Sequence, residues 1–593
     1  MRVEFARRST RRLAWGAGAL VLLFGVVLAA APLFLSGEFV RERVVAHLAE
    51  TTGATVRVSR SHVALYPRPR VVMENVRLGA THLGGAEAQI DRLEVDVALL
   101  PALGGRIVPT ALRAERPHLL LRRRVQSTEA LAAILPSRTL PWPTLSVRDG
   151  RVDWQRGGRT LRVTALDATM SAVGKGGALR GSAVWNGEPV AFETSTPDLA
   201  ALATKGANAR VTLTSSPLSL AFDGTVHLPA GRLLGRATLE TVSMERASEW
   251  LGLGGHAPAV PASISGDVTA QAVATAASTL EAAFRTAQIR IGDARADGSL
   301  TLQRGSRTAV AGTLAFGDIA ISAGPLQRAL DLASEDARAD LRLPHLTALD
   351  LDLRLSAARL QLAGTRLDEV AATLRTDRRN VTLAVGDASL GGGRAQGRLR
   401  FRTERDGAAT TLTLATRDVD LAALPWPASE GGLRADGRAD ATLTLSARGR
   451  DPASMLATLA GQGSLTLRDG RLGGFDLGTA MRATRSGALP RQTQVWRDAT
   501  PFSRLSAGFT LGGGIATLRE LRIRADRAAA RLRGRVDLVR GSIALRGAVA
   551  DASPGRPATF EPQGGFFVGG TLLTPLLVPV EAIEPPPEGH RSG

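Results

Sequence analysis

The sequence predicts a mainly β protein: one N-terminal transmembrane helix followed by a long, curved antiparallel β-sheet groove with a few short helices. Three observations carry this. An uncharged run from Leu13 to Leu35 follows an arginine-rich start. Most of the remaining chain alternates apolar and polar residues with a period of two, the pattern of a strand with one dry and one wet face. Its 64 glycines, many in Asp-Gly and Gly-Gly pairs, supply the turns such a sheet needs.

The run Leu13–Leu35 reaches roughly 34 Å at about 1.5 Å per residue, enough to cross a hydrocarbon core of roughly 30 Å. Arg2, Arg7, Arg8, Arg11 and Arg12 precede it against the single acid Glu4, so the positive-inside rule keeps the N-terminus cytosolic and sends the body across. A cleaved signal peptide is the rival reading, because Ala29, Ala30 and Ala31 are residues a signal peptidase accepts. Pro32 and the continuation through Leu33, Phe34 and Leu35 favour a permanent anchor.

Beyond the anchor, Glu38 to Glu50 reads as a short helix, with Phe39, Val40, Val44 and Leu48 at helical spacing and Gly53 beyond its end. The period then changes to two. Val56 and Val58 begin it; Leu93, Val95, Val97 and Leu99 continue it. Leu349, Leu351, Leu353 and Leu355 alternate with Asp350, Asp352 and Arg354, and Leu360 and Leu362 resume after an expected turn. Val381, Leu383 and Val385 follow, then Leu412 and Leu414, then Ala439, Ala441, Leu443, Leu445 and Ala447. Asp149-Gly150, Asp297-Gly298 and Asp469-Gly470 are expected at hairpin tips, and Gly391 to Gly393 in a hairpin turn. Helices are expected at Met244–Leu251, Ser278–Thr286 and Pro452–Leu459, the last two suggesting a weak internal duplication. The segment Gly564 to Val580 is apolar but interrupted by Pro575 and Pro579, and reads as strands.

Turn signals imply about 25 to 30 strands; side by side at about 4.8 Å these would span roughly 120–140 Å, the scale of a gap between two membranes. With only 15 Phe and 7 Trp, residues that plug a globular core are scarce, which favours an open groove.

A formal charge of +19 would ordinarily raise nucleic acid as a partner. Here the basic residues are nearly all arginines scattered singly, Arg122 to Arg124 being the longest run, and aromatics make up 4% of the chain. A stacking platform for bases is therefore missing, and a basic surface facing anionic lipid headgroups is the more economical reading. No nucleic-acid partner is expected.

The residues also carry a family likeness. At the N-terminal end it lies in "TTGATVRVS" from Thr51, "LYPRPRVVMENVRLG" from Leu65, "RLEVDVALLPALGGRI" from Arg92 and "VRDGRVDW" from Val147. At the C-terminal end it lies in "LAGQGSLTLRDGRLGGFDL" from Leu459, read as a strand, an Asp-Gly turn and a second strand. "TPFSRLSAGFTLGGG" from Thr500, "RLRGRVDLVRGSIALRG" from Arg531 and "GGTLLTPLLVPV" from Gly569 follow. In these motifs the chain resembles the AsmA family of inner-membrane-anchored periplasmic proteins of Gram-negative bacteria. The resemblance implies a β-groove related to bridge-like lipid-transfer proteins, and a link to outer-membrane assembly. The organisation expected is a cytosolic basic segment (1–12), the anchor (13–35) and an N-terminal AsmA-like region (36–200). A middle β-groove region (201–430), following the family in pattern only, a C-terminal AsmA-like region (431–582) and a disordered tail (583–593) complete it.

Chemistry is hard to find. With no cysteine, the chain has no thiol nucleophile or disulfide, and no two of its eight histidines sit at metal-binding helical spacing. Gly174-Lys175 lacks the following Ser or Thr of a phosphate-binding loop, Gly391 to Gly397 misses the dinucleotide spacing, and no Gly-x-Ser-x-Gly elbow occurs. No catalytic residue, metal or cofactor is assigned, and an enzyme is not expected. The expected site is a lipid-lining apolar face formed by Leu349, Leu351, Leu353, Leu355, Leu443, Leu445, Val536 and Leu538; packing against a second sheet is the other reading of each. The function expected is phospholipid handling between inner and outer membranes, with an outer-membrane or envelope protein as a further partner. The alternative is a non-enzymatic scaffold for outer-membrane protein targeting or secretion.

Overall fold

A computed structural model describes residues 45–46, 55–64, 68–79, 86–98, 101, 108–121, 143–156, 159–228, 230–252, 259–273, 279–305, 307–321, 349–362, 364–405, 407–424, 434–491, 495–496, 499–552, 560–572 and 574–581. These residues are mainly strand, with few helices. Among them no helix is long and apolar enough to cross a membrane; the run Leu13–Leu35 and most of the expected helix Glu38–Glu50 lie outside them. The chain forms two compact units, Met1–Leu251 with Ser263–Ala282, and Gly252–Ala262 with Ala283–Gly593.

In the first unit, β1 (Thr55–Arg57) and β2 (Arg60–Ala64) both pair with β3 (Arg70–Gly79), followed antiparallel by β4 (Ala86–Val97) and β5 (Pro109–Leu121). The step from β5 to β6 (Thr144–Arg156) is parallel. Antiparallel order then runs through β7 (Arg159–Val173), β8 (Gly176–Trp185), β9 (Glu188–Thr196), β10 (Ala207–Ser215), β11 (Ser219–His227) and β12 (Arg232–Thr241). Helix α1 (Leu199–Thr204) starts where the Asp198 carboxylate accepts from Ala201 N–H. Helix α2 (Met244–Trp250) starts likewise at Ser243 and docks by Trp250, whose indole N–H donates to the Trp185 carbonyl at 2.8 Å. Strands β13 (Ala262–Val273) and β14 (Thr279–Ile291) follow in the chain.

The second unit repeats the scheme. After β15 (Ala294–Arg304) and β16 (Thr308–Ile321) comes a parallel step to β17 (Asp350–Leu362). Antiparallel pairing continues through β18 (Thr365–Thr376), β19 (Asn380–Leu390), β20 (Gly393–Glu404) and β21 (Gly407–Asp420). The short β22 (Arg434–Ala435) interrupts the chain before β23 (Arg438–Gly449), which pairs with β21. Helix α3 (Pro452–Ala457), opened by an Asp451–Ser454 capping box, leads to β24 (Ala460–Gly473), and α4 (Leu477–Ser486) leads to β25 (Ala499–Gly512). The sheet ends through β26 (Ile515–Arg524), β27 (Ala528–Asp537), β28 (Ser542–Asp551), β29 (Gly564–Gly570) and β30 (Pro575–Val580).

Five expectations are corrected. Asp149 and Asp469 lie inside β6 and β24, not at hairpin tips, with φ of 49° and 47°. Asp297-Gly298 lies within the unbroken register of β15 and β16. The family-like segment from Leu459 is accordingly one bulged strand rather than two strands and a turn. Residues 279–291 form β14 where Ser278–Thr286 read as a helix, and Leu360 continues β17 without a turn. The physical reason for the first correction is that a β-bulge and a hairpin tip both need a residue tolerant of positive φ, and Asp or Gly serves either.

The bulges have a shared construction. Asp149 N–H donates to Asp167 Oδ1 across β6–β7 at 2.9 Å, and Asp418 N–H, φ 54°, donates to Asp440 Oδ1 across β21–β23 at 2.8 Å. A bulged residue leaves the ladder, so a side-chain acceptor on the next strand satisfies its N–H while the strand bends.

Each sheet's apolar face is buried only in part. In the first unit Val71, Met73, Leu93 and Val95 are buried, with Val45, Val56 and Val63 packed against them. In the second, α4 lays Leu477, Ala480 and Ala483 toward the sheet, and a core forms with Leu467, Leu505, Ile523, Leu532, Val549 and Phe566.

Candidate functional site

Strand register turns the sequence's alternation into rows that cross the sheet. In the second unit one row runs Leu300, Gly312, Leu353, Leu374, Leu383, Leu399, Leu412, Leu445, Gly461, Leu511, Ala516, Val536, Ile543, each the direct partner of the next. Beside it runs Gly298, Leu314, Leu355, Ala372, Val385, Gly397, Leu414, Leu443, Gly463, Phe509, Leu518, Gly534, Leu545, Val568, Leu577. Every member is apolar or glycine. The second row takes one residue from each strand between β15 and β30 except β22, a path on the order of 65 Å at about 4.8 Å per strand.

The neighbouring row on the other face reads Ser299, Thr313, Arg354, Thr373, Ala384, Arg398, Thr413, Thr444, Gln462, Thr510, Thr517, Arg535. A one-residue slip anywhere would put these groups in the apolar rows, so the amphipathic pattern itself holds the register.

Of the eight lining residues expected, Leu353, Leu445 and Val536 fall in the first apolar row and Leu355 and Leu443 in the second. Leu351, partner of Val310, is on the same face one step along β17. Leu349 precedes β17, its carbonyl accepting the Thr376 hydroxyl at 2.6 Å. Leu538 follows β27 in the turn, its N–H donating to Gly514. All eight are half-buried, and Leu383 and Leu414 within the rows are 37% exposed. Toward the strand ends covered by α4 the same face closes, with Leu467 and Phe566 at 0%.

Sequence reasoning missed the cross-strand partners, because register is a tertiary property. It also missed the first unit's equivalent row: Met73, Leu93, Ala114, Val147, Ala168, Gly181, Phe192, Leu213, Leu220, Leu239. On the opposite, polar face a cleft of about 760 Å³ is lined by Arg113, Ser146, Thr169, Arg180, Glu193 and Thr212, each the direct partner of the next, with Arg148 and Asp167 also in its lining.

The wet faces carry ion pairs that tie adjacent strands. Asp153, 6% exposed, receives Arg151 Nε at 2.8 Å and Arg162 Nε at 3.0 Å, with His118 Nε2 at 2.8 Å. Burial pushes its carboxyl upward, but the hydrogen bonds from Arg151, His118 and Arg162 outweigh this and hold it well below the usual carboxylate range. Asp418 and Asp440 hold Arg468 at 3.3 and 2.9 Å. These carboxylates are committed to structural partners, and among the described residues no group of three His, Asp or Glu side chains is placed to hold a metal ion.

Fold and site together define a mainly β protein with amphipathic antiparallel sheets that leave rows of apolar side chains only partly covered. Residues 328–521 match the AsmA family, an AsmA family domain that takes in β17 to β25 and most of β26. The match thus enters the middle region, where the motifs showed only a pattern. No curated protein and no solved structure matches the chain.

Proposed function

We propose that this is an inner-membrane-anchored, periplasmic, non-enzymatic protein that handles or conducts phospholipid between inner and outer membranes. The run Leu13–Leu35 is its anchor, its N-terminus is cytosolic, and an outer-membrane or envelope protein receives its far end. The observation that carries this reading is the unbroken succession of apolar residues from strand to strand in each sheet. Acyl chains laid on such rows stay out of water at about 25 cal/mol per Å² of apolar surface, and exchange from one position to the next breaks no bond.

The test is to purify the full chain in a mild detergent and quantify bound lipid by native and lipid-extraction mass spectrometry. Several phospholipids per chain are expected. A lipid-free, monodisperse protein would contradict the reading and favour the scaffold.

A further inference from the structure

We propose that the wet face of the second unit holds a phosphate-binding pocket among β26, β27 and β28, separate from the apolar rows and independent of the lipid-conduit reading. A cavity of about 190 Å³ is lined there by Arg519, Arg531, Arg533 and Arg546, with Phe560 and Pro562 on its wall. Arg533 and Arg546 are direct cross-strand partners, so two like charges face each other in the sheet, an arrangement that an anion relieves.

The carboxylates nearby offset the cluster only in part, two of them facing four arginines. Glu520 and Glu581 line the cavity, but Glu520 is engaged by Arg522 at 2.5 Å and Arg531 at 3.7 Å. Among the described residues no ion pair joins Arg519, Arg533 or Arg546 to a carboxylate. Arg531 is held by the Phe560 ring, its guanidinium carbon 4.4 Å from the centroid. Guanidinium groups with free N–H donors converging on one cavity match a phosphate group, which takes several charge-assisted hydrogen bonds at once. A free phosphate and a phospholipid headgroup share that chemistry.

The experiment is calorimetric titration of the full chain in neutral detergent at low ionic strength with two probes, inorganic phosphate and dihexanoyl phosphatidic acid. The double variant R533Q/R546Q is compared with R504Q, an exposed arginine of β25 outside the cavity. The double variant is expected to lose at least about tenfold in affinity while R504Q is unchanged. Comparable binding of both probes identifies the phosphate group alone as the ligand; binding of the lipid only identifies a headgroup, and either supports the pocket. Binding of neither probe, or an equal loss in R504Q from diffuse charge, overturns it. If R533Q/R546Q does not fold, R519Q replaces it under the same criteria. L443D, in the apolar row, should bind phosphate normally, which separates this result from the fate of the conduit.

Discussion

The ring of Phe509 fills the space above Gly463: a β-carbon at that glycine would lie 2.5 Å from Phe509 Cζ and 3.1 Å from Leu443 Cδ1. The two residues are direct partners across β24 and β25, and Gly547 with Phe566 and Gly181 with Phe192 repeat the arrangement. At these three positions glycine is thus a seat for the aromatic ring of the next strand, which fills the space where a side chain is missing. Gly463→Ala should therefore cost about 1–3 kcal/mol by overpacking, seen as a lower urea midpoint at unchanged slope. A neutral substitution would mean the ring has somewhere else to go.

Leu443→Asp places a charge in the middle of the second apolar row. Because that face is half-open, the carboxylate stays hydrated and the fold should survive with a loss of at most about 2 kcal/mol. Co-purified phospholipid is expected to fall by more than half, whereas Thr444→Asp, exposed on the other face, should leave it unchanged. A folded Leu443→Asp protein with full lipid occupancy would remove this residue from the lining.

Asp153 makes stability depend on pH. Its folded-state pKa is depressed, so its contribution is present above the unfolded carboxylate value of about 3.9 and is lost as pH falls through the lower folded value. Asp153→Asn should be less stable than the parent by about 2 kcal/mol at neutral pH. The gap should narrow once pH drops below about 3.9, which urea unfolding at a series of pH values would register. A gap independent of pH would show that the three partners act through packing and not through charge.

The bulge at Asp418 depends on the carboxylate of Asp440, which takes both the Asp418 N–H and Arg468. Asp440→Ala should cost about 1–2 kcal/mol. Amide hydrogen exchange at Asp418 should accelerate while the ladder farther along β21 stays protected. Unchanged protection at Asp418 would indicate that water replaces the carboxylate without loss.

Much of this architecture is legible in the chain because period-two alternation survives almost everywhere, so Leu353, Leu355, Leu443 and Leu445 could be assigned to one face before their partners were known. What alternation does not contain is which strand meets which. Arg533 and Arg546 become neighbours only through the β27–β28 hairpin, so the basic pocket has no local signature. Asp149 and Asp469 misled because their tolerance of positive φ serves mid-strand bulges as well as turns. The segment Leu280 to Ala283 misled for another reason: Leu, Glu and Ala favour a helix in isolation, and the surrounding sheet overrides them.

The central claim is that the apolar rows touch acyl chains. It is tested most directly by placing a photo-crosslinking residue at Leu412 and, separately, at its neighbour Thr413 on the opposite face, irradiating intact cells and weighing the full-length protein. Phospholipid adducts at position 412 and none at 413 are predicted. No adduct at 412, or equal labelling at the two positions, would contradict the account.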